Sequence, residues 1–408
     1  MRRVMVTGMG GVTALGEDWP TIRGHLAAGH TAIRAMPEWE RFSGVNTRLA
    51  APVTDFSVED KYPRKSLRTM GRVAQLAVYA AERALTDAGL CGDKVVSGGR
   101  LGIAFGSSFG SPESVLGFYE LKHSGASKHL NATNYIRMMS HTALVNVGLF
   151  FGVTGRLIPT SSACTSGSQG IGFAYEAIRL NRADVMIAGG AEELDITDSA
   201  VFDTLFATSV KNDTPSTTPR PFDRARDGLV IGEGAGVLIL EEYEHALARG
   251  ASIVGELVGF GTNSDGDHVT QSNPETMQLA LRLALDDAGL PPEAIGLVNG
   301  HGTATEWGDI AESKATAQVL GPRAPIHTLK GHFGHSLGAC GAIESWLGLE
   351  MMREGVFWPT ANLDNVDPRC AELDYIVGEP RRLNVEYFMN NNFAFGGINT
   401  SLIFRRFM

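Results

Sequence analysis

The sequence predicts an α/β protein built from two similar halves. Three observations lead there. Short apolar runs alternate with longer stretches of helical periodicity. The 408-residue chain is longer than one ordinary hydrophobic core supports. One helix ending also occurs twice, as Ala81-Glu-Arg-Ala-Leu-Thr-Asp-Ala-Gly-Leu90 and Leu281-Arg-Leu-Ala-Leu-Asp-Asp-Ala-Gly-Leu290.

In chain order, the apolar run 4–7 reads as a strand and 73–88 as a helix, stopped by Gly89. A polar turn follows, then a strand at 101–105. Residues 167–180 read as a helix, and 185–188 and 237–240 as strands. In the second part a helix at 275–288 stops at Gly289, again before a polar turn and a strand, here 297–299. A strand at 326–329 and a helix at 341–353 complete the series. The shared order of helix, glycine stop, turn and strand suggests duplication, with halves 1–250 and 251–408 packed as a pseudo-dimer and a site between them.

Composition narrows the class. A hydrophobic content of 43% and a charged content of 20% fit a soluble globular protein, and the 49 glycines are scattered through turns instead of gathered in a linker. The longest apolar stretch, 143–153, contains Asn146 and is too short to span a bilayer. Arg2 and Arg3 precede only a brief apolar run, so no secretory signal is expected. Cys91, Cys164, Cys340 and Cys370 are too dispersed for a disulfide framework, which points to the cytoplasm. A net charge of −10 argues against nucleic-acid binding. The basic run Lys61-Tyr-Pro-Arg64-Lys65-Ser-Leu-Arg68-Thr-Met-Gly-Arg72 is either a solvated helix face or a dock for an acidic partner.

Three turns carry candidate chemistry. Pro159-Thr-Ser-Ser-Ala-Cys164-Thr-Ser-Gly-Ser-Gln-Gly170 places a cysteine among small residues before an apolar helix. There the helix dipole and free N–H groups favour a thiolate, although a buried structural thiol is the other role open to Cys164. Val298-Asn-Gly-His301-Gly-Thr303-Ala-Thr305 and Lys330-Gly-His332-Phe-Gly-His335-Ser-Leu-Gly-Ala339 put histidines in glycine-rich turns after strands. Such turns converge at one end of the sheet in α/β folds. A thiol that carries an acyl group, two histidines that stabilise an enolate and a lysine that supplies positive charge suit a condensation of thioesters.

Other motifs carry less. Gly334-His-Ser336-Leu-Gly338 matches a hydrolase nucleophile elbow, yet no histidine follows His335 in the chain. Gly8-Met-Gly10-Gly11 lacks the third glycine of a dinucleotide loop. His332, His335 and Cys340 are too loosely spaced for a metal set, and no metal is expected.

With these motifs the sequence resembles the β-ketoacyl-acyl carrier protein synthases of the thiolase-like superfamily, nearly end to end. The resemblance rests on Val6-Thr-Gly-Met-Gly10, Ser161-Ser-Ala-Cys164-Thr-Ser166, Ala188-Gly-Gly-Ala-Glu-Glu193, Arg220-Pro-Phe-Asp-Arg-Ala-Arg-Asp-Gly228, His301-Gly-Thr-Ala-Thr305, Lys330-Gly-His-Phe-Gly-His335 and Asn392-Phe-Ala-Phe-Gly-Gly-Ile-Asn399. It is similar to the elongating Cys-His-His enzymes, not to the initiating Cys-His-Asn type. The resemblance implies a five-layered αβαβα fold and a homodimer, or a heterodimer with a chain-length-factor-like subunit. It implies an acyl carrier protein as partner, whose phosphopantetheine brings the substrate, and no cofactor bound by the enzyme itself.

Residue by residue, it implies Cys164 as the acylated nucleophile, with its own N–H and that of Phe395 as the oxyanion hole. His301 and His335 would bind the malonyl thioester and assist decarboxylation. Lys330 would organise the site with Glu344. Phe395 would gate the acyl pocket, and Phe393, in the same closing motif, would line the substrate site. Thr303 and Thr305 would touch the phosphopantetheine arm, and Lys65 and Arg68 would dock the carrier protein. A thiolase shares the fold but needs a second catalytic cysteine, and neither Cys340 nor Cys370 lies in a matching motif. Departures from the family pattern are Phe109 within Ser108-Phe109-Gly110, where it would cap or shorten the acyl pocket, together with Leu229, Glu306-Trp307, Ala394 and Ile398. They leave housekeeping fatty-acid synthesis and a specialised aryl polyene or polyketide pathway both open.

Overall fold

In the computed structural model, which describes residues 1–407, eleven strands form one sheet. The first half supplies β1 (Val4–Thr13), β2 (Leu101–Gly106), β3 (Leu157–Thr160), β4 (Val185–Glu192) and β5 (Gly234–Glu242). The second supplies β6 (Gly255–Ser264), β7 (Ile295–Asn299), β8 (Pro325–His327), β9 (Asp374–Tyr375), β10 (Tyr387–Phe393) and β11 (Ile398–Arg406). Their order across the sheet is β9-β8-β7-β10-β11-β6-β1-β5-β4-β2-β3.

Each half repeats one topology. β1, β5 and β4 are joined antiparallel, and β4, β2 and β3 run parallel. Likewise β6, β11 and β10 are joined antiparallel, and β10, β7 and β8 run parallel. The halves meet where Val4–Val6 of β1 pairs antiparallel with Gly255–Leu257 of β6.

Six helices complete the layers: α1 (Arg72–Asp87), α2 (Thr142–Phe151), α3 (Ser166–Arg179), α4 (Pro274–Ala288), α5 (Glu306–Leu320) and α6 (Cys340–Glu354). α1 and α2 cover the outer face of the first half, α4 and α5 that of the second, and α3 and α6 lie between the two halves of the sheet. The result is the expected αβαβα sandwich. Its central core joins Ile171 and Ile178 of α3, Ile343 and Trp346 of α6, Leu238 and Leu240 of β5, and Phe388 and Phe404 of β10 and β11. Parallel strands covered on both faces explain the continuous apolar runs of β2 and β4.

The repeated helix ending folds the same way twice. Gly89 and Gly289 adopt φ of +68° and +66°, and Leu90 and Leu290 donate to the carbonyls of Leu85 and Leu285. The sequence reading omits β3, β6, β9, β11 and α2, and three further elements differ from it. The strand expected over 326–329 ends at His327, and Lys330–Phe333 turn into a short helix. α5 escapes a periodicity search because Asp309, Glu312 and Thr316 occupy its buried face. β10 is masked by Asn390, Asn391 and Asn392, all buried. No helix among the described residues is long and apolar enough to cross a membrane.

Candidate active site

Three turns at strand ends converge between the halves. Cys164 follows β3 and precedes α3, and His335 sits in the equivalent turn between β8 and α6. The fold's internal repeat therefore brings nucleophile and histidine face to face. His301 follows β7 and precedes α5. Each turn contains a non-glycine residue in the left-handed region: Ala163 at φ +48°, Ala304 at +65° and Leu337 at +43°. Such backbone costs roughly 1–3 kcal/mol per residue and persists only where the surroundings enforce it.

The side chains make one buried cluster. His335 Nε2 lies 3.0 Å from Cys164 Sγ. One ligand-type atom from each of Cys164, His301 and His335 falls within 4.8 Å of the others. The two imidazole rings stand edge to face at 5.1 Å between centroids. Lys330, buried, pairs with buried Glu344. Asn392 Nδ2 donates to Glu344 Oε2 at 2.8 Å and lies 3.5 Å from His301 Nδ1. Behind the His301 turn, Glu312 accepts the N–H of His301 at 2.5 Å and that of Gly302 at 2.7 Å. Asp309 accepts the N–H of Ala304 at 3.1 Å.

Electrostatics here are set by burial. Desolvation pushes the Cys164 thiol up to about 12, against the opposing pull of Lys330 and of the Phe395 and Cys164 N–H groups. Burial and then Lys330 hold both His301 and His335 well below the usual imidazole range. Burial thus opposes the charged form of all three groups. The sequence argument from the helix N-terminus favoured a thiolate; desolvation of the turn outweighs that dipole.

The expected residues separate into four places. A narrow cavity is lined by Cys164, His301, His335, Thr303, Thr305, Phe393 and Phe395. The Thr303 and Thr305 hydroxyls lie 3.0 Å apart on its wall, and the Phe395 ring rests against Phe202 at 5.1 Å. Lys330 and Glu344 lie behind that wall. Phe109, with Arg68, lines a second and larger cavity of about 1560 Å³, whereas Lys65 projects into solvent from the short helix Arg64–Leu67.

Asn392, Glu312 and Glu192 take part in the site and were not singled out from sequence. Glu192 and Asn392 stand at strand ends inside two of the family motifs, which was the available signal, whereas Glu312 lies within α5 and had none. Cys340 faces away from the cavity, its Sγ donating to the Cys164 carbonyl at 3.3 Å.

Comparison with known proteins agrees with this geometry. Residues 1–246 match the family model "Beta-ketoacyl synthase, N-terminal domain" and residues 254–364 match "Beta-ketoacyl synthase, C-terminal domain". The chain is 36% identical to a 3-oxoacyl-[acyl-carrier-protein] synthase 2 of Vibrio cholerae, covering 99% of each. It superposes on the crystal structure of a β-ketoacyl synthase from Burkholderia phymatum with a TM-score of 0.99, at 57% identity over all of both chains. On the ishigamide ketosynthase/chain length factor the TM-score is 0.92 at 30% identity, again over both full chains.

Proposed function

The chain belongs to the β-ketoacyl synthase family, and within it we propose that this protein is a 3-oxoacyl-[acyl-carrier-protein] synthase that elongates a thioester by decarboxylative condensation with a malonyl unit. One observation carries the reading: Cys164, His301 and His335 converge in a buried cavity backed by the Lys330–Glu344 pair. In the first step the Cys164 sulfur attacks the acyl thioester. His335 Nε2, 3.0 Å away, takes the thiol proton as the C–S bond forms and returns it to the departing phosphopantetheine thiol. The Cys164 and Phe395 N–H groups, which already favour negative charge at Sγ, receive the developing oxyanion.

In the second step the malonyl thioester loses carbon dioxide. Neutral His301 donates a hydrogen bond to the enolate oxygen, and so does His335 in the tautomer that carries its N–H on Nε2, the nitrogen that no longer faces a thiol proton once Cys164 is acylated; burial disfavours the cation of both. The enolate carbon attacks the acyl-Cys164 carbonyl, the C–S bond breaks and the thiolate leaves; the proton that restores the thiol is taken up from water, since the first one left on the phosphopantetheine thiol. Lys330, held by Glu344, whose other oxygen Asn392 holds in turn, keeps the site electropositive while charge builds. No step calls for a metal or bound cofactor.

The resting cavity, at about 60 Å³, accepts only small groups. Entry of an acyl chain therefore requires the Phe395 ring to swing from Phe202, and Gly396 and Gly397, at φ +87° and +72°, supply the hinge. Thr303 and Thr305 on the same wall hold the phosphopantetheine arm, and Phe393 borders it. The larger cavity is read as the far part of the acyl pocket, capped by Phe109; the helix Ile196–Asp203 stands between it and the Cys164 cavity, with Phe202 lining the one and Ile196 and Val201 the other. Exposed Lys65 and Arg68 dock the acidic carrier protein. The halves 1–250 and 251–408 are the two units of the duplication, with nucleophile in one and histidines in the other. The protein works in the cytoplasm as a homodimer or with a chain-length-factor-like subunit. The thiolase reading loses support because Cys340 is turned away from the cavity.

The test is intact mass after mixing the protein with a panel of acyl-carrier-protein thioesters. Wild type gains the acyl mass and Cys164→Ala does not. Acylation of the mutant, or acylation of wild type by coenzyme A esters alone, overturns the proposal.

A further inference from the structure

Glu192, at the end of β4, is a buried carboxylate with no catalytic assignment, 1% exposed. Four neutral donors surround it. Its Oε1 accepts the Ser107 hydroxyl at 2.9 Å and faces the Phe109 N–H at 3.4 Å. Its Oε2 accepts the N–H of Ser108 at 2.8 Å and that of Gly338 at 2.9 Å. Ser107 Oγ in turn accepts the N–H of Gly110 at 3.1 Å. The first group of donors belongs to the turn carrying Phe109; Gly338 lies three residues beyond His335, directly after the left-handed Leu337. There is no slack in the junction: a Cβ on Gly338 would meet Glu192 Oε2 and the Ser108 nitrogen, each at 2.7 Å. A carboxylate kept in the interior by neutral donors alone, three backbone N–H groups and one hydroxyl, is a costly arrangement, retained here where two functional turns meet.

We propose that Glu192 is a positioning residue for acyl-chain selection, its carboxylate clamping the Phe109 turn to the His335 turn. The inference rests on the reading of Phe109 as the cap of the acyl pocket. In Glu192→Gln the amide oxygen keeps Ser108 and Gly338, and the amide nitrogen donates to Ser107 Oγ. That nitrogen then opposes the Phe109 N–H, so the Phe109 side of the clamp loosens and the His335 side holds.

The experiment offers wild type, Glu192→Gln, Phe109→Ala and the double variant an equimolar mixture of short- and long-chain acyl-carrier-protein thioesters, and reads the ratio of long to short acyl-Cys164 by intact mass. A general loss of folded protein leaves that ratio unmoved. The expected result is a ratio shifted several-fold in each single variant, with the double variant no further shifted than Phe109→Ala. A shift in Phe109→Ala with none in Glu192→Gln overturns the clamp and leaves the Phe109 reading standing. No shift in Phe109→Ala removes that reading and the clamp with it. Additive shifts in the double variant also overturn the clamp, since Glu192 then acts by another route. Should Glu192→Gln not fold, Ser107→Ala, which removes the hydroxyl link alone, is read by the same ratios and outcomes.

Discussion

Cys164 illustrates how burial and dipoles compete at a single atom. Its position before α3, two backbone N–H groups and Lys330 all favour the thiolate, yet desolvation pushes the thiol up to about 12. Burial thus opposes the thiolate at Cys164 more strongly than these groups favour it. The alkylation rate of Cys164 by iodoacetamide, followed by mass, is expected to rise about tenfold per pH unit from neutral into mildly alkaline conditions, because only the thiolate reacts. A plateau around pH 7 would show a resting thiolate and defeat this account. The two histidines obey the same rule with opposite sign: burial disfavours the cation, so they stay neutral donors at physiological pH. Of the residues that hold the triad in place, Asn392, between Glu344 and His301, opens the closing motif but shows no role there, and Glu312, on the His301 turn, was invisible in the sequence because a lone Glu has no distinctive spacing.

Among the elements, the decisive contact is a junction of glycines. Gly106 of β2, Gly167 of α3, Gly190 of β4 and Gly338 before α6 approach so closely that a Cβ on Gly190 would sit 2.4 Å from the Gly338 carbonyl oxygen and 2.9 Å from the Gly167 Cα. Both obstacles are backbone and cannot rotate aside. Gly190→Ala is expected to cost about 1–3 kcal/mol by overpacking, measured by urea denaturation, and to lower acylation of Cys164 by separating its helix from the His335 turn. Wild-type stability in that variant would mean the junction yields easily. The repeated helix endings at Gly89 and Gly289 were legible from the sequence because a left-handed stop after an apolar helix has a local signature. α5 was not, because its buried face carries Asp309, Glu312 and Thr316, which serve the His301 turn and break the apolar stripe.

At the scale of the whole molecule, the sheet ends on an open edge. β3 pairs with β2 alone, Leu157 on it is 41% exposed, and Leu149 of the adjoining α2 is 71% exposed. An uncovered strand flanked by large apolar side chains is a template for pairing with another chain. The purified protein is therefore expected to run as a dimer in light scattering coupled to gel filtration, and Leu149→Asp combined with Leu157→Lys to shift it toward monomer. A monomeric wild type would instead require a different subunit to cover the edge, and co-expression with a chain-length-factor-like protein would then yield a one-to-one complex.

By itself the sequence determined the α/β class, the duplication, the three turns that bear Cys164, His301 and His335, and the family. Each of these rests on local order: apolar runs, glycine stops and short motifs that mean the same wherever they occur. Tertiary structure alone decided that the turns of β3 and β8 face one another, that Glu312, Asn392 and Glu192 brace them, that Phe109 opens on the larger cavity, and that burial opposes the thiolate at Cys164. Those outcomes depend on desolvation and on contacts between residues far apart in the chain, such as Glu192 with Gly338, and neither quantity exists until the two halves have closed on each other.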